Sequence, residues 1–317
     1  MKALVTGATG FIGSFLTEVL VRRGHQVAVL RRPETPPRRI EHLLDRVHSI
    51  LGDFEHLGVP NPNESGLGTP SSAEAILRFS PDTVFHAGWH GVASEYRNDP
   101  GQVTRNLESS AELMTLAARS GCRTYVALGS QAEYGPQNRM LNESAPTSPT
   151  TTYGVAKLCA FLLSRHLAGQ TGMRFAWIRV FSTYGPKDNP DWMIPSLIRS
   201  LCRRERPALT AGEQLWDYLY VEDAAEAISD VAETPDASGV FNLGSGRVQT
   251  IRRVVEMIRD QIDPSLPLGF GEVPYRPDQV MHLQADVSRL CSVTGWTPRT
   301  PLEDGLRRTV ESFRHAQ

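Results

Sequence analysis

Residues 2–13 read KALVTGATGFIG, and the fold turns on how that stretch divides. KALVTG is a short apolar strand that ends in glycine. From Phe11 the apolar residues take helical spacing: Phe11, Phe15, Val19 and Leu20 lie near one face, and Gly24 stops the run. Gly7 permits a tight turn, Gly10 lets backbone N–H groups approach a pyrophosphate, and Gly13 allows close helix–sheet contact. Phe11 and Ile12 open the helix whose N-terminus would face the phosphates. With a strand on one side and a helix on the other, the glycine pattern reads as a dinucleotide cradle.

The alternation continues downstream. HQVAVL, PDTVFHAG and CRTYVALGS read as buried strands, and residues 103–120 and 153–169 as long helices. This order predicts an α/β fold with a doubly wound parallel sheet of Rossmann type. After about Phe181 the pattern loosens into Pro/Gly-rich stretches with shorter helices, which suggests a smaller C-terminal lobe. The expected division is a nucleotide-binding domain over 1–180, also receiving part of 210–245, and a substrate lobe over 181–317. Gly58–Ser72 has loop chemistry and reads as an exposed insertion.

Composition sets the outer bounds. The chain has 317 residues, 40% hydrophobic and 21% charged, enough to fill a sizeable core and keep the surface soluble. A formal net charge of −2 argues against a broad nucleic-acid or membrane surface. Cys122, Cys159, Cys202 and Cys291 form no CxxC pair, so free thiols in a reducing compartment are expected. The first residues show no signal-peptide pattern and no apolar run reaches membrane-span length, so the expected location is cytoplasmic.

The end of the second strand bears on the cofactor. An acidic residue there would accept from a ribose 2′-hydroxyl, whereas LRRP offers Arg31 and Arg32. Two guanidiniums suit a 2′-phosphate and favour NADP(H), with NAD(H) the alternative; the other reading is a solvated basic turn. Asp53, followed by Phe54, ends the next strand, either hydrogen-bonding the adenine amine or capping the strand.

TTYGVAK places Tyr153 and Lys157 four residues apart, on one helical face. An ammonium beside a phenol favours the phenolate, which can then exchange a proton with a hydroxyl or carbonyl near neutral pH. TGATGFIG, GD at Gly52–Asp53, VFHAG, GSQAEYG and YGVAK, followed by RVFSTYGP, DYLYVEDAAEAI, FNLGSG and RPDQ, resemble in order the extended short-chain dehydrogenase/reductases of the NAD(P)-dependent epimerase/dehydratase group, which act on nucleotide sugars. The resemblance spans nearly the whole chain. It implies that Ser130 hydrogen-bonds the reacting C–O group, that Tyr153 is the acid/base, and that Lys157 activates it and anchors the nicotinamide ribose. It also implies that Ala87, Gly88 and Trp89 line the cofactor, with Asn106 beside the site or, alternatively, bonded to helix backbone.

The 4,6-dehydratases of this family resemble one another in a loop like STDEVYG, whose two carboxylates move the protons of the elimination. Aligned on Tyr134–Gly135, Ser130 stands in the threonine's place, and Gln131 and Ala132 stand in those of the carboxylates. An amide and a methyl cannot serve as acid and base, so dehydration is not expected. In the substrate lobe, the resemblance implies that Ser182 replaces an asparagine and Trp216 a phosphate-contacting arginine, while Arg276 matches a phosphate-binding arginine. Trp216 either stacks on a base or sugar or fills core space. Met193 lies in Asp188–Arg199, which resembles the segment whose helix start covers the nucleotide base in that family, and Gln131 and Trp89 are expected to touch the sugar. His86 and His90 are spaced for a metal on a helix but sit at a strand end with no third ligand, so no metal is expected. A homodimer through helices 103–120 and 153–169 is implied, with Leu113, Leu116, Phe161 and Leu162 expected on the outward faces.

The favoured reading is NADPH-dependent reduction of a 4-keto-6-deoxy nucleotide sugar. An NAD-dependent 4-epimerase and a non-catalytic NADP(H)-binding regulator are the alternatives. The Ser130–Tyr153–Lys157 set weighs against the last, because a regulator needs no proton relay.

Overall fold

Unbroken apolar runs, as opposed to alternating ones, mark strands covered on both faces. The computed structural model, which describes residues 1–57 and 71–314, bears this out. The first half runs β1 (Lys2–Thr6), α1 (Phe11–Arg22), β2 (Gln26–Arg31), β3 (His48–Leu51), α2 (Ser72–Phe79), β4 (Thr83–His86), α3 (Gly101–Arg119), β5 (Thr124–Ser130), β6 (Arg139–Leu141), α4 (Thr152–Thr171) and β7 (Arg174–Val180). The second half runs β8 (Ser182–Tyr184), α5 (Met193–Cys202), β9 (Ala208–Leu209), β10 (Leu215–Tyr220), α6 (Val221–Glu233), β11 (Gly239–Leu243), β12 (Val248–Thr250), α7 (Ile251–Ile262), β13 (Gly269–Phe270), β14 (His282–Ala285), α8 (Ser288–Thr294) and α9 (Leu302–Arg314).

Seven parallel strands form the main sheet in the order β3-β2-β1-β4-β5-β7-β11. The order reverses between β1 and β4, and in open α/β sheets ligands bind at the carboxyl ends beside such a switch point. Here Gly7, after β1, and Ala87, after β4, come together. Helices cover both faces: α1 and α6 pack on one, α3 and α4 on the other. Across α1 and α6, Arg23 pairs with Glu226, with Asp230 at 2.8 Å and with Glu233 at 2.9 Å.

Chain position and sheet membership part company at β6 and β11. β11 joins the main sheet, while β6 joins the second sheet, β12-β10-β14-β6, in which β8 also pairs β10. A short β9–β13 pair completes the smaller lobe. The two long helices begin and end within two residues of their expected bounds. Thr151 caps α4 by accepting from the Gly154 N–H, and left-handed Gly172 ends it. Most of the expected 58–72 insertion lies outside the described residues; its last two, Ser71 and Ser72, cap and open α2.

Candidate active site

The glycine turn is built as its spacing requires. Gly7 has φ +70°, and a Cβ there would lie 2.6 Å from the backbone of Ala87 and Gly88. A Cβ on Gly13 would lie 2.1 Å from the Gly7 carbonyl oxygen. α1 starts at Gly10 with no side-chain cap and no acid in its first turn, so its N–H groups are left for an anion. These residues fit a pyrophosphate.

From this turn a cavity of about 1310 Å³ extends to the smaller lobe, beyond the ~300–1,000 Å³ of a usual small-molecule site. Gly7, Gly10, Phe11, Ile12, Gly13, Arg31, Arg32, Asp53, Phe54, Ala87, Gly88 and Trp89 line one end. Ser130, Gln131 and Tyr153 stand in the middle, and Ser182, Met193, Trp216 and Arg276 line the other end. Arg31 is already engaged, its Nε donating to the Ser49 Oγ at 2.7 Å. Trp216 and Ser182 answer each other, with the indole Nε1 donating to the hydroxyl at 2.7 Å.

Two expected site residues lie behind the wall and do not line the cavity. Lys157 is 5% exposed; its Nζ donates to the Leu128 carbonyl at 2.7 Å and lies 3.6 Å from the centre of the Trp89 ring. Asn106 is fully buried. Its Oδ1 accepts from the His90 N–H at 2.8 Å and its Nδ2 donates to the Gln102 carbonyl at 2.9 Å, so it holds the loop that carries Trp89. Of its two expected settings, the backbone one is what the geometry shows.

Around the reactive centre, Tyr153 enters α4 with its backbone N–H on the Arg97 carbonyl at 2.9 Å. Its ring meets Trp89 edge to face at 6.1 Å, and its hydroxyl bonds to that of Ser130. Burial pushes the phenol up to about 12, opposed by the Ser130 bond. Burial brings the Lys157 ammonium down to about 7, and Glu133 opposes that shift. His86 is buried between Thr6 Oγ1 at 2.7 Å and Ser110, and burial together with Lys157 brings it down to about 3. Among the described residues no group of three or more His, Cys, Asp or Glu could hold a metal ion.

One expectation fails on geometry. Leu113, Leu116 and Phe161 are 0–6% exposed and pack with Phe175 and Trp177 under the sheet, leaving Leu162 alone of the four on the surface. Two residues escaped the sequence reading. Arg39 lines the cavity beside the glycine turn, donating from Nη1 to the Thr9 carbonyl at 3.2 Å and from Nε to the Lys187 carbonyl at 2.8 Å. Asp188, in the same wall, is pushed up to about 7 by burial, opposed by the Asn189 N–H and by Arg39. The PPRR run gave Arg39 no distinguishing signal.

The family model described as the NAD dependent epimerase/dehydratase family matches residues 3–244, the stretch that carries the cradle, Ser130, Tyr153 and Lys157. The chain belongs to that family. Among its relatives, the UDP-glucose 4-epimerase of Mycolicibacterium smegmatis is 26% identical, with 99% of each chain covered. The uncharacterized UDP-glucose epimerase YtcB of Bacillus subtilis is also 26% identical, over 98% of this chain and 97% of its own. Among solved structures, MoeE5 in complex with UDP-glucuronic acid and NAD is 29% identical at a TM-score of 0.83, with 99% of each chain covered. The UDP-N-acetylglucosamine 4-epimerase of Methanobrevibacter ruminantium is 25% identical at a TM-score of 0.86, over 99% of this chain and 98% of its own. This family member thus shares fold and length with epimerases, and the similar structure that names a cofactor here names NAD.

Proposed function

We propose that this chain inverts the C4 carbinol of a nucleoside-diphosphate sugar through a 4-keto intermediate, keeping its nicotinamide cofactor throughout. One observation carries the reading: Ser130 and Tyr153 line the cavity with Lys157 packed behind the Tyr153 ring, and the same loop adds Gln131 and Ala132 to the lining. That set serves proton exchange at a carbinol and lacks the second acid–base pair that elimination of water needs. A nicotinamide held along the glycine turn supplies hydride acceptance and return. Ser130 holds the C4 oxygen, and the Tyr153 phenolate takes the hydroxyl proton as that carbon is oxidised, then returns it on reduction. Lys157, charged against the face of Trp89, steadies the phenolate. The cofactor is assigned to the end from Gly7 to Trp89, and the sugar nucleotide to Trp89, Gln131, Ser182, Met193, Trp216 and Arg276.

Retention of the cofactor is supported by the Arg39 bridge between the glycine turn and the smaller lobe, and by the epimerases among the relatives. A second reading, reduction of a 4-keto-6-deoxy nucleotide sugar with exchangeable NADPH, is favoured by Arg31 and Arg32 at the adenosine end. One experiment separates them. Nucleotide released from the denatured purified protein is identified, and the native protein is offered UDP-hexose 4-epimer pairs without added cofactor. Interconversion with NAD retained supports epimerisation. No interconversion, with NADPH consumed on a 4-keto-6-deoxy sugar, replaces it with reduction.

A further inference from the structure

The loop after β4 sets a tryptophan against the lysine of the reactive centre. Lys157 does not line the cavity, but the two residues that its ammonium touches, Trp89 and Leu128, both do. The Nζ lies 3.6 Å from the centre of the indole and 5.9 Å from the centre of the Tyr153 ring. A buried ammonium at that distance from an indole face is held by the stronger, desolvated form of this contact. Tyr153 meets the same indole edge to face at 6.1 Å. One ring therefore bears on both members of the proton-exchanging pair.

The indole has a single N–H, and Gln102 takes it. Gln102, the second residue of α3, is 0% exposed. Its Oε1 accepts from Trp89 Nε1 at 2.8 Å and from Asn106 Nδ2 at 3.3 Å. Its Nε2 donates to the Gly91 carbonyl and, at 3.1 Å, to the Tyr96 carbonyl. A side-chain amide carries two hydrogens and two lone pairs, and all four are engaged here. Turned over, the amide would set its oxygen against two carbonyls and its nitrogen against the indole N–H, so the network fixes its direction. Gly91 makes the room: its φ is +74°, and a Cβ there would lie 2.6 Å from Gln102 Nε2. Asn106 holds the backbone of the same loop at His90, while Gln102 holds the ring.

We propose that Gln102 is a positioning residue of this site: by holding the Trp89 indole it keeps an aromatic face against the Lys157 ammonium, and so keeps that ammonium beside Tyr153. The proposal rests on the Ser–Tyr–Lys reading of the centre, but its deciding measurement needs no substrate. The chain has three lysines, Lys2, Lys157 and Lys187, so protein labelled with ¹³C at lysine Cε gives three signals. Lys157→Met assigns the one of interest. The ring current of the indole shifts the Lys157 methylene protons upfield, and Trp89→Leu gives their position without it. Spectra are recorded below the Lys157 midpoint of about 7, where the group is charged. Gln102→Met keeps the length of the side chain and loses the amide. It is expected to move the Lys157 signal most of the way to its Trp89→Leu position, with Lys2 and Lys187 unmoved. Turnover is expected to fall about tenfold with KM little changed, the equivalent of one desolvated contact of this kind. Should Gln102→Met not fold, Gln102→Leu is read in the same way. A Lys157 signal that stays at its wild-type position in whichever variant folds overturns the proposal, even where stability has dropped, because Gln102 then supports the loop and not the ring. The signal reports on the ring whatever the reaction proves to be, so failure of the proposal is distinguishable from failure of the Ser–Tyr–Lys reading.

Discussion

Arg39 and Lys187 hold each other by a reciprocal pair of hydrogen bonds. The Arg39 Nε donates to the Lys187 carbonyl at 2.8 Å, and the Lys187 Nζ donates to the Arg39 carbonyl at 3.3 Å. Arg39 also reaches Thr9 in the glycine turn, so one side chain ties the dinucleotide cradle to the loop after β8. Removing it should loosen the enclosure without touching the reactive centre. Arg39→Ala is expected to release the nicotinamide cofactor about tenfold faster, the equivalent of one or two hydrogen bonds at ~1 kcal/mol each. Stopped-flow displacement of bound cofactor measures this; an unchanged rate would show that the bridge does not hold it.

Tyr153→Phe should lower turnover about a hundredfold or more and leave cofactor affinity nearly intact, since it removes one proton donor and little surface. Its phenol sits at about 12 in the protein alone, and Lys157 at about 7. A working phenolate is therefore scarce at low pH. Activity should rise with pH until the lysine gives up its charge. Full activity in the phenylalanine variant would remove Tyr153 from its role.

Gly129→Ala tests the interlock behind Ser130. The added methyl would meet the Trp177 indole nitrogen and the Glu133 carboxylate, both of them buried and hydrogen-bonded to each other, so neither can swing away. A loss of about 2–3 kcal/mol of stability is expected, from overpacking plus disturbed polar bonds. Urea denaturation with an unchanged slope and a lower midpoint would report it. A wild-type midpoint would mean that the turn relaxes freely.

What the sequence disclosed and withheld follows the range of the interactions. The cradle and the Tyr153–Lys157 pair depend on spacings within one turn or one helix, and both were legible. Glu133 stood in plain view in QAEY, but its direction was not. Strand alternation stops at Ser130, and the 3₁₀ turn over Gln131–Glu133 returns the carboxylate beneath the strand it follows. Arg39 finds its partner some 150 residues away, and the Trp216–Ser182 bond depends on β10 lying beside β8. The apolar residues of α3 and α4 were legible as apolar. Whether they met their own sheet or a second copy was not, and Leu113, Leu116 and Phe161 meet the sheet.

Lys157 should be paid for in stability, and the debt should vary with pH. Its ordinary value is 10.5, and burial brings it down to about 7 in the folded chain. Between those values the unfolded chain binds a proton that the folded one has released, so stability rises with pH across that window. Below about 7 both states hold the proton, and the folded state bears the full penalty of a buried charge. Lys157→Met keeps most of the apolar stem, one atom shorter, and removes the titration. Relative to the wild type, the methionine variant should be stabilised more at pH 6 than at pH 9. Integrating the difference in bound protons over that range gives about 2–3 kcal/mol. The bond to Leu128 and the contact with Trp89 weaken as the lysine loses its charge, and the proton-linkage integral already contains that change. Paired urea unfolding at the two pH values measures it. A pH-independent difference between the two proteins would mean that Lys157 titrates in the folded chain as it does in water.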